Sequence, residues 1–159
     1  MTMADGPQGW MAPDQWEALV RGDGCPACAE VRSGATDEGY IVARLQISQL
    51  RLMHNQFVPG YSVLVCTRHV PEPYHLATDE QALFFQDLMR AAQALDHVFA
   101  PIKMNINLLG NLVPHLHAHL VPRYYGDSAP GRPIDPGLRV VTWAAPDYQE
   151  RVRQIQAAL

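Results

Sequence analysis

The ten residues 114–123, PHLHAHLVPR, carry three of the chain's seven histidines at every second position: His115, His117 and His119. Successive side chains of a strand point to opposite faces. The spacing therefore predicts one row of imidazoles, with Leu116, Ala118 and Leu120 turned the other way into a core. Three imidazoles in register on a solvated face add nothing to packing, so the row points to chemistry rather than to an incidental surface cluster. Two chemistries use such a row. The imidazoles are metal ligands, as in three-histidine catalytic zinc sites, or one is a nucleophile and its neighbours orient substrate and leaving group. An unperturbed imidazole pKa of about 6.5 leaves a neutral nitrogen available at neutral pH for either role.

A second group of chemistry-bearing residues lies upstream. CPAC, Cys25 to Cys28, has the spacing of two corners of a tetrahedral zinc site. Thioredoxin-like redox pairs share that spacing, but no βαβ pattern follows it here. A structural metal needs two further ligands, which the spacing of this pair does not name. Two unligated cysteines are the plain alternative.

The elements that position these groups follow from periodicity. Pro13 opens a short helix with Trp16, Leu19 and Val20 on one side, and the Gly/Cys turn around CPAC leads into a further helical turn. Strands are expected over 40–46, 49–54 and 61–67, with a turn at Pro59-Gly60. Thr78 and Gln81 have the spacing of a capping box. Leu83, Phe84, Leu88, Ala91, Ala92 and Leu95 then recur at helical spacing until Pro101. Two strands are expected at 102–110 and 115–122, then a Pro/Gly loop over 124–137, a late strand over 138–143 and a helix begun by Pro146. The sum is an α+β fold, an antiparallel sheet packed on one long helix with short helices at both ends.

The 159 residues, 48% hydrophobic and 18% charged, match one globular domain. The expected organisation is a loose arm over 1–12, a domain over 13–125, and a loop and helix over 126–159 packed on that domain. A net charge of −4 argues against nucleic-acid or anionic-membrane partners. No apolar run approaches the roughly 20 residues of a membrane span, and the N-terminus lacks a signal-peptide pattern. The expectation is a cytoplasmic protein whose cysteines are thiols or metal ligands.

Taken with the flanking NINLLGN and GYSVLVCTRHV, the segment PHLHAHLVPR resembles the histidine-triad (HIT) family, in its diadenosine polyphosphate hydrolase-like branch, over about residues 25–125. The resemblance implies a nucleotide hydrolase acting at the α-phosphorus of a dinucleoside polyphosphate or nucleoside phosphoramidate. His117 would attack to give a nucleotidyl-histidine, and His119 would contact the phosphate and assist the leaving group. Asn107 and Asn111 would hold phosphates and Asn55 the ribose. The resemblance also implies a structural zinc on Cys25, Cys28, His69 and His115, with Cys66 in place of His115 as the competing set. A purine nucleotide or dinucleoside polyphosphate is the expected ligand, and a homodimer the expected assembly.

Two positions depart from the family pattern. Tyr61 stands where many members carry a fourth histidine; as a substrate-binding residue its phenol would donate a hydrogen bond to phosphate but carries no positive charge at pH 7. Leu112 replaces a usual hydroxyl. These departures keep two alternatives open, a nucleotidyl transferase and a non-catalytic nucleotide-binding regulator. A hydrolase with all three histidines on one catalytic metal is a third.

Overall fold

The computed structural model describes residues 10–137 and 139–159; the loose arm expected over 1–12 falls largely outside them. Two short helices, α1 (Pro13–Val20) and α2 (Pro26–Ser33), each begin on a proline, whose missing N–H costs nothing in a first helical turn. Strands β1 (Gly39–Arg44), β2 (Ser48–Met53) and β3 (Ser62–Cys66) follow, then the long helix α3 (Thr78–Phe99), strands β4 (Lys103–Asn107) and β5 (His117–Arg123), and the last helix α4 (Ala145–Ala158). The five strands form one sheet in the order β1-β2-β3-β5-β4, with every neighbouring pair antiparallel. This is the α+β arrangement expected from the sequence.

Both faces of the sheet are covered, which is why β3 is buried at all five positions rather than alternating. On one face Leu50, Leu52, Leu64, Ala118 and Leu120 pack with Phe84, Leu88 and Leu95 of α3 and with Tyr148 and Ile155 of α4. Burying a side chain of this size contributes about 1.5–3 kcal/mol, so this layer dominates the core. The other face is thinner: Tyr61, Val63, Val65 and Val121 pack with Val31 of α2. The turn at Pro59-Gly60 is sharp, with Gly60 at φ +88°, and a Cβ there would lie 2.8 Å from the Phe99 ring.

Several local expectations are corrected. Helix α3 is not capped by Thr78 and Gln81. Its N-cap is Ala77, whose N–H donates to the Glu80 carboxylate at 2.9 Å, while Gln81 Nε2 donates to Leu76 O at 2.9 Å. The helix starts one residue earlier than a Thr78 cap requires, so Thr78 lies inside it. No strand forms among the described residues of 138–143. Val141 instead accepts from Gln56 N at 2.7 Å and donates to Asn55 Oδ1 at 3.0 Å, so a side-chain amide replaces a strand partner. Strand β5 begins at His117, not at His115. His115 sits in the bend before it, so the three histidines do not form one solvated row.

A polar tie holds α3 to the sheet. Asp87 is fully buried and accepts from Gln46 N at 3.2 Å, Ile47 N at 2.9 Å and Ser48 Oγ at 2.7 Å. These groups make up the β1–β2 turn, whose N–H groups would otherwise be left without partners against the helix. Replacing Asp87 with Ala strips four donors of their acceptor, Gln46 Nε2 included, and is expected to lower stability by roughly 2–4 kcal/mol in urea denaturation. A loss below about 0.5 kcal/mol, the range of an ordinary surface change, would show that the turn does not depend on it.

Candidate functional site

Four ligand-type side chains meet beside the start of β5. Cys25 is the N-cap of α2, and its sulfur accepts from Cys28 N at 3.3 Å. Wrapping the helix start in this way turns both thiols to one side. His69 follows the end of β3, and His115 precedes β5. Their Nδ1 atoms lie 3.2 Å apart. Cys28 Sγ is 3.3 Å from His69 Nδ1 and 3.4 Å from His115 Nδ1, and Cys25 Sγ is 3.5 Å from His115 Nδ1. All four ligand atoms fall within 4.8 Å of one another.

The second nitrogen of each imidazole decides what this cluster is suited to. His115 Nε2 lies 2.7 Å from Cys66 O, and His69 Nε2 lies 3.0 Å from Val20 O. A carbonyl only accepts, so both rings carry their proton on Nε2 and aim Nδ1 lone pairs at each other. Two lone pairs face to face are unfavourable unless an electrophile stands between them. Metal–nitrogen and metal–sulfur bonds of about 2.0–2.3 Å place tetrahedral donors roughly 3.3–3.8 Å apart, close to the spacings here. Burial first, and then Cys25 beside it, pushes the Cys28 thiol up to about 11, so a thiolate there calls for a cation. Burial likewise pulls His115 down to about 4, keeping it a neutral ligand. The residues fit a metal, and the cluster could bind one. Cys66 contributes to the core face of the sheet instead; only its carbonyl takes part, so the set that uses its thiol is not assembled.

His117 and His119 share a face of β5, opposite Val65 and Val63 of β3, with ring centroids 5.0 Å apart. His117 Nδ1 donates to His115 O at 2.6 Å, which leaves Nε2 with a free lone pair. His119 is arranged the opposite way. Tyr61 Oη lies 2.7 Å from His119 Nδ1, with the two rings nearly parallel. Burial, and after it the Glu38 carboxylate, pushes the Tyr61 phenol up to about 12. Burial, and after it His117, pulls His119 down to about 4. Tyr61 is therefore the donor, His119 Nδ1 the acceptor, and the His119 proton sits on Nε2. Two neighbouring imidazoles thus present opposite Nε2 atoms, one a lone pair and the other an N–H donor.

Two cavities flank this pair. One of about 200 Å³ lies under α2 and is lined by Ala27, Met53, Val63 and Val113 together with both histidines. The other, of about 330 Å³, is lined by Phe57, Asn107, His119 and the C-terminal residues Pro133 to Pro136. Tyr61 belongs to both walls. A larger cavity of about 830 Å³ follows β4 but contains neither histidine, so size does not identify the reactive site.

The remaining candidates are placed unevenly. Asn107 is the register partner of His119 and lines the second cavity. Asn111 is exposed in the bend after Gly110 and belongs to neither wall. Asn55 gives its amide to the C-terminal segment, donating to Pro136 O at 3.0 Å and Arg139 O at 3.2 Å and accepting from Val141 N. Leu112 is 63% exposed. Arg123 is committed to Asp127 at 2.6 and 2.8 Å and to Asn105 at 2.7 Å. Sequence reasoning missed the Tyr61–His119 bond and a buried Arg51–Glu30 ion pair at the first cavity. The only signal for the latter was an arginine between Leu50 and Leu52 on an otherwise core-forming strand.

Comparison with known proteins agrees with this geometry. The family model of the HIT domain matches residues 38–126, more than half of the chain. AP-4-A phosphorylase of Mycobacterium tuberculosis (strain CDC 1551 / Oshkosh) is 30% identical over 105 residues, 62% of this chain and 54% of its own length. The asymmetrical bis(5'-nucleosyl)-tetraphosphatase of Schizosaccharomyces pombe is 27% identical over 89 residues, 53% of this chain and 49% of its own. The chain therefore spans about half the length of these relatives. The crystal structure of a histidine triad protein from Bradyrhizobium japonicum superposes with a TM-score of 0.69 at 26% identity, covering 77% of this chain and 91% of that one. With its paired imidazoles, its sheet order and the extent of that match, the chain belongs to the HIT domain family.

Proposed function

We propose that this chain cleaves dinucleoside polyphosphates or nucleoside phosphoramidates at the α-phosphorus, through a nucleotidyl group carried on His117. The observation that supports this most is the opposed pair of Nε2 atoms. His117 Nε2 attacks phosphorus in line, a P–N bond forms, and the P–O or P–N bond to the leaving group breaks. A departing phosphate leaves as its anion, held by a hydrogen bond from His119 Nε2–H, and a departing amine takes its proton from water. The positive charge gathered on the His117 ring is met by its Nδ1–H bond to His115 O. Water then attacks the same phosphorus, the P–N bond to His117 breaks and returns the lone pair to His117 Nε2, and the proton lost by the water passes to solvent. Catalysis of this kind rests on positioning and charge stabilisation, and a strand backed by a buried core is a stiff platform for it. The transferred nucleoside occupies the cavity that both histidines line, and the leaving group lies toward the cavity walled by Asn107.

The name of the M. tuberculosis relative favours one variant of this reading, in which inorganic phosphate replaces water at the second step. Product analysis separates the two: water yields a nucleoside monophosphate and phosphate yields a nucleoside diphosphate. Cys25, Cys28, His69 and His115 would hold a zinc ion, which would brace the chain next to the nucleophile and take no part in either step.

His117→Ala is expected to reduce release of mononucleotide from diadenosine tetraphosphate or adenosine phosphoramidate at least a thousandfold, in line with loss of a covalent nucleophile. Wild type and variant that both bind nucleotide but release nothing would make this a binding protein. For the metal, elemental analysis should find one zinc per chain. Its removal, or Cys28→Ser, should lower the melting temperature by roughly 5–10 °C; an unchanged melt would reject the brace. The third expectation concerns acid. His119 has a folded-state pKa of about 4 against an unfolded value of about 6.5. The unfolded chain takes up the proton first, so stability is fully present above 6.5 and drains as pH falls toward 4. Denaturation series at pH 7 and pH 5 should show a smaller acid loss in His119→Gln than in wild type, and equal losses would refute the assignment.

A further inference from the structure

The cavity under α2 has a polar end that the proposed chemistry does not use. Arg51, on β2, is 4% exposed and lines the cavity that both reactive histidines share. Its Nε donates to Gln49 Oε1 at 2.8 Å and its Nη1 pairs with Glu30. Glu30 in turn accepts from Thr36 Oγ1 at 2.8 Å. Nη2 is left without a hydrogen-bond partner, and so is Gln49 Nε2 beside it. Buried donors without acceptors are rare and each costs about 1–3 kcal/mol, so an unanswered guanidinium edge at a cavity wall asks for an acceptor from outside the chain.

Charge and distance narrow what that acceptor is. The cation of Arg51 is already met by Glu30, and a second carboxylate, Glu38, lines the same cavity. Another anion is therefore unwelcome at this end, and a phosphate belongs at the histidines. Arg51 is the register partner of Val63, which is the register partner of His119. Two strand spacings of about 4.8 Å each separate Arg51 from the reacting imidazoles. That is the reach from an α-phosphorus to the far edge of its nucleobase, with the base lying over Val63 and Met53. Nη2 donates, so the base edge facing it must accept. The Glu38 carboxylate accepts no hydrogen bond from the described residues, so the adjoining edge must donate.

Resting on the proposed nucleotide-transfer reading, we infer that Arg51 and Glu38 select a guanine nucleotide over an adenine nucleotide in this cavity. The guanine O6 and N7 accept from Arg51, and its N1–H and N2–H₂ face Glu38. An adenine still offers N7 but turns its N6 amino group toward Arg51 in place of an acceptor, and it has no N1–H or N2–H₂ for Glu38.

The test is calorimetric titration of the full chain with GMP and with AMP, which measures binding without requiring turnover. GMP is expected to bind about tenfold or more tightly. Arg51→Met, which keeps the apolar stem, and the surface change Glu38→Leu should each narrow that ratio, with far-UV circular dichroism reporting the fold. If Arg51→Met does not fold, Glu38→Leu carries the test alone. Equal or tighter binding of AMP overturns the base selection while leaving the nucleotide site in place, as does a GMP preference that survives both substitutions. Binding of neither nucleotide, with no turnover of diguanosine or diadenosine tetraphosphate, overturns the site reading and this inference with it.

Discussion

The side chain and the main chain of His115 serve different parts of the site, and the rest of the arrangement hangs on that division. Its buried ring donates from Nε2 to Cys66 O and points Nδ1 at His69, Cys25 and Cys28. Its carbonyl accepts from His117 Nδ1 at 2.6 Å and so determines which nitrogen of His117 is left basic. The ring can serve the cluster only because it lies in the bend before β5, where backbone direction is free of the ladder. Had the strand begun one turn of pleat earlier, the carbonyl would have been drawn into sheet pairing. The tautomer of the neighbouring imidazole would then have lost its anchor.

The second imidazole gets its tautomer from a different source. Many family members, by the resemblance noted in the sequence, carry a histidine where this chain has Tyr61. A phenol raised to about 12 by burial and by Glu38 gives a donor that does not ionise across the physiological range. A histidine in that place would be donor or acceptor according to pH. Tyr61 therefore trades a source of positive charge for a fixed hydrogen-bond direction, and His119 keeps its proton on the nitrogen that faces the cavity.

Much of this was legible in the sequence, for identifiable reasons. The alternation of His117, Ala118, His119 and Leu120 is a period-2 signal over a buried face, and it held. Cys25 to Cys28, His69 and His115 came together because each lies at an element boundary, where the chain turns and side chains converge. What sequence reading missed were competitions between neighbours. Thr78 and Gln81 had the spacing of a capping box, but Glu80 reached the exposed N–H first. The segment 138–143 has β-favouring residues, but its described residues have no strand beside them, so one side-chain amide took the place of a ladder. Asn55 was assigned by position to a ribose, and its partners turned out to be backbone atoms more than eighty residues away. Arg51 breaks the apolar pattern of β2, yet without α2 laid over the sheet nothing indicates that it is buried against Glu30.

The short segment between β2 and β3 gathers more of the molecule than its length suggests. Gln56, 1% exposed, donates from Nε2 to Met53 O and Tyr61 O and accepts from Gly60 N, closing the loop on itself. Asn55 and the Gln56 backbone meanwhile hold the C-terminal strap. Tyr61, the partition shared by the two cavities, therefore stands on the same knot that secures the Pro133–Pro136 wall. The two chambers are mechanically one part. A change in length between Met53 and Tyr61 would re-aim both ends of a bound substrate together, so divergence within this lineage should spare that loop's length. The chain between Gly126 and Arg132 is held by a separate anchor, the buried Arg123, which bonds Asp127, Ala129 and Arg132.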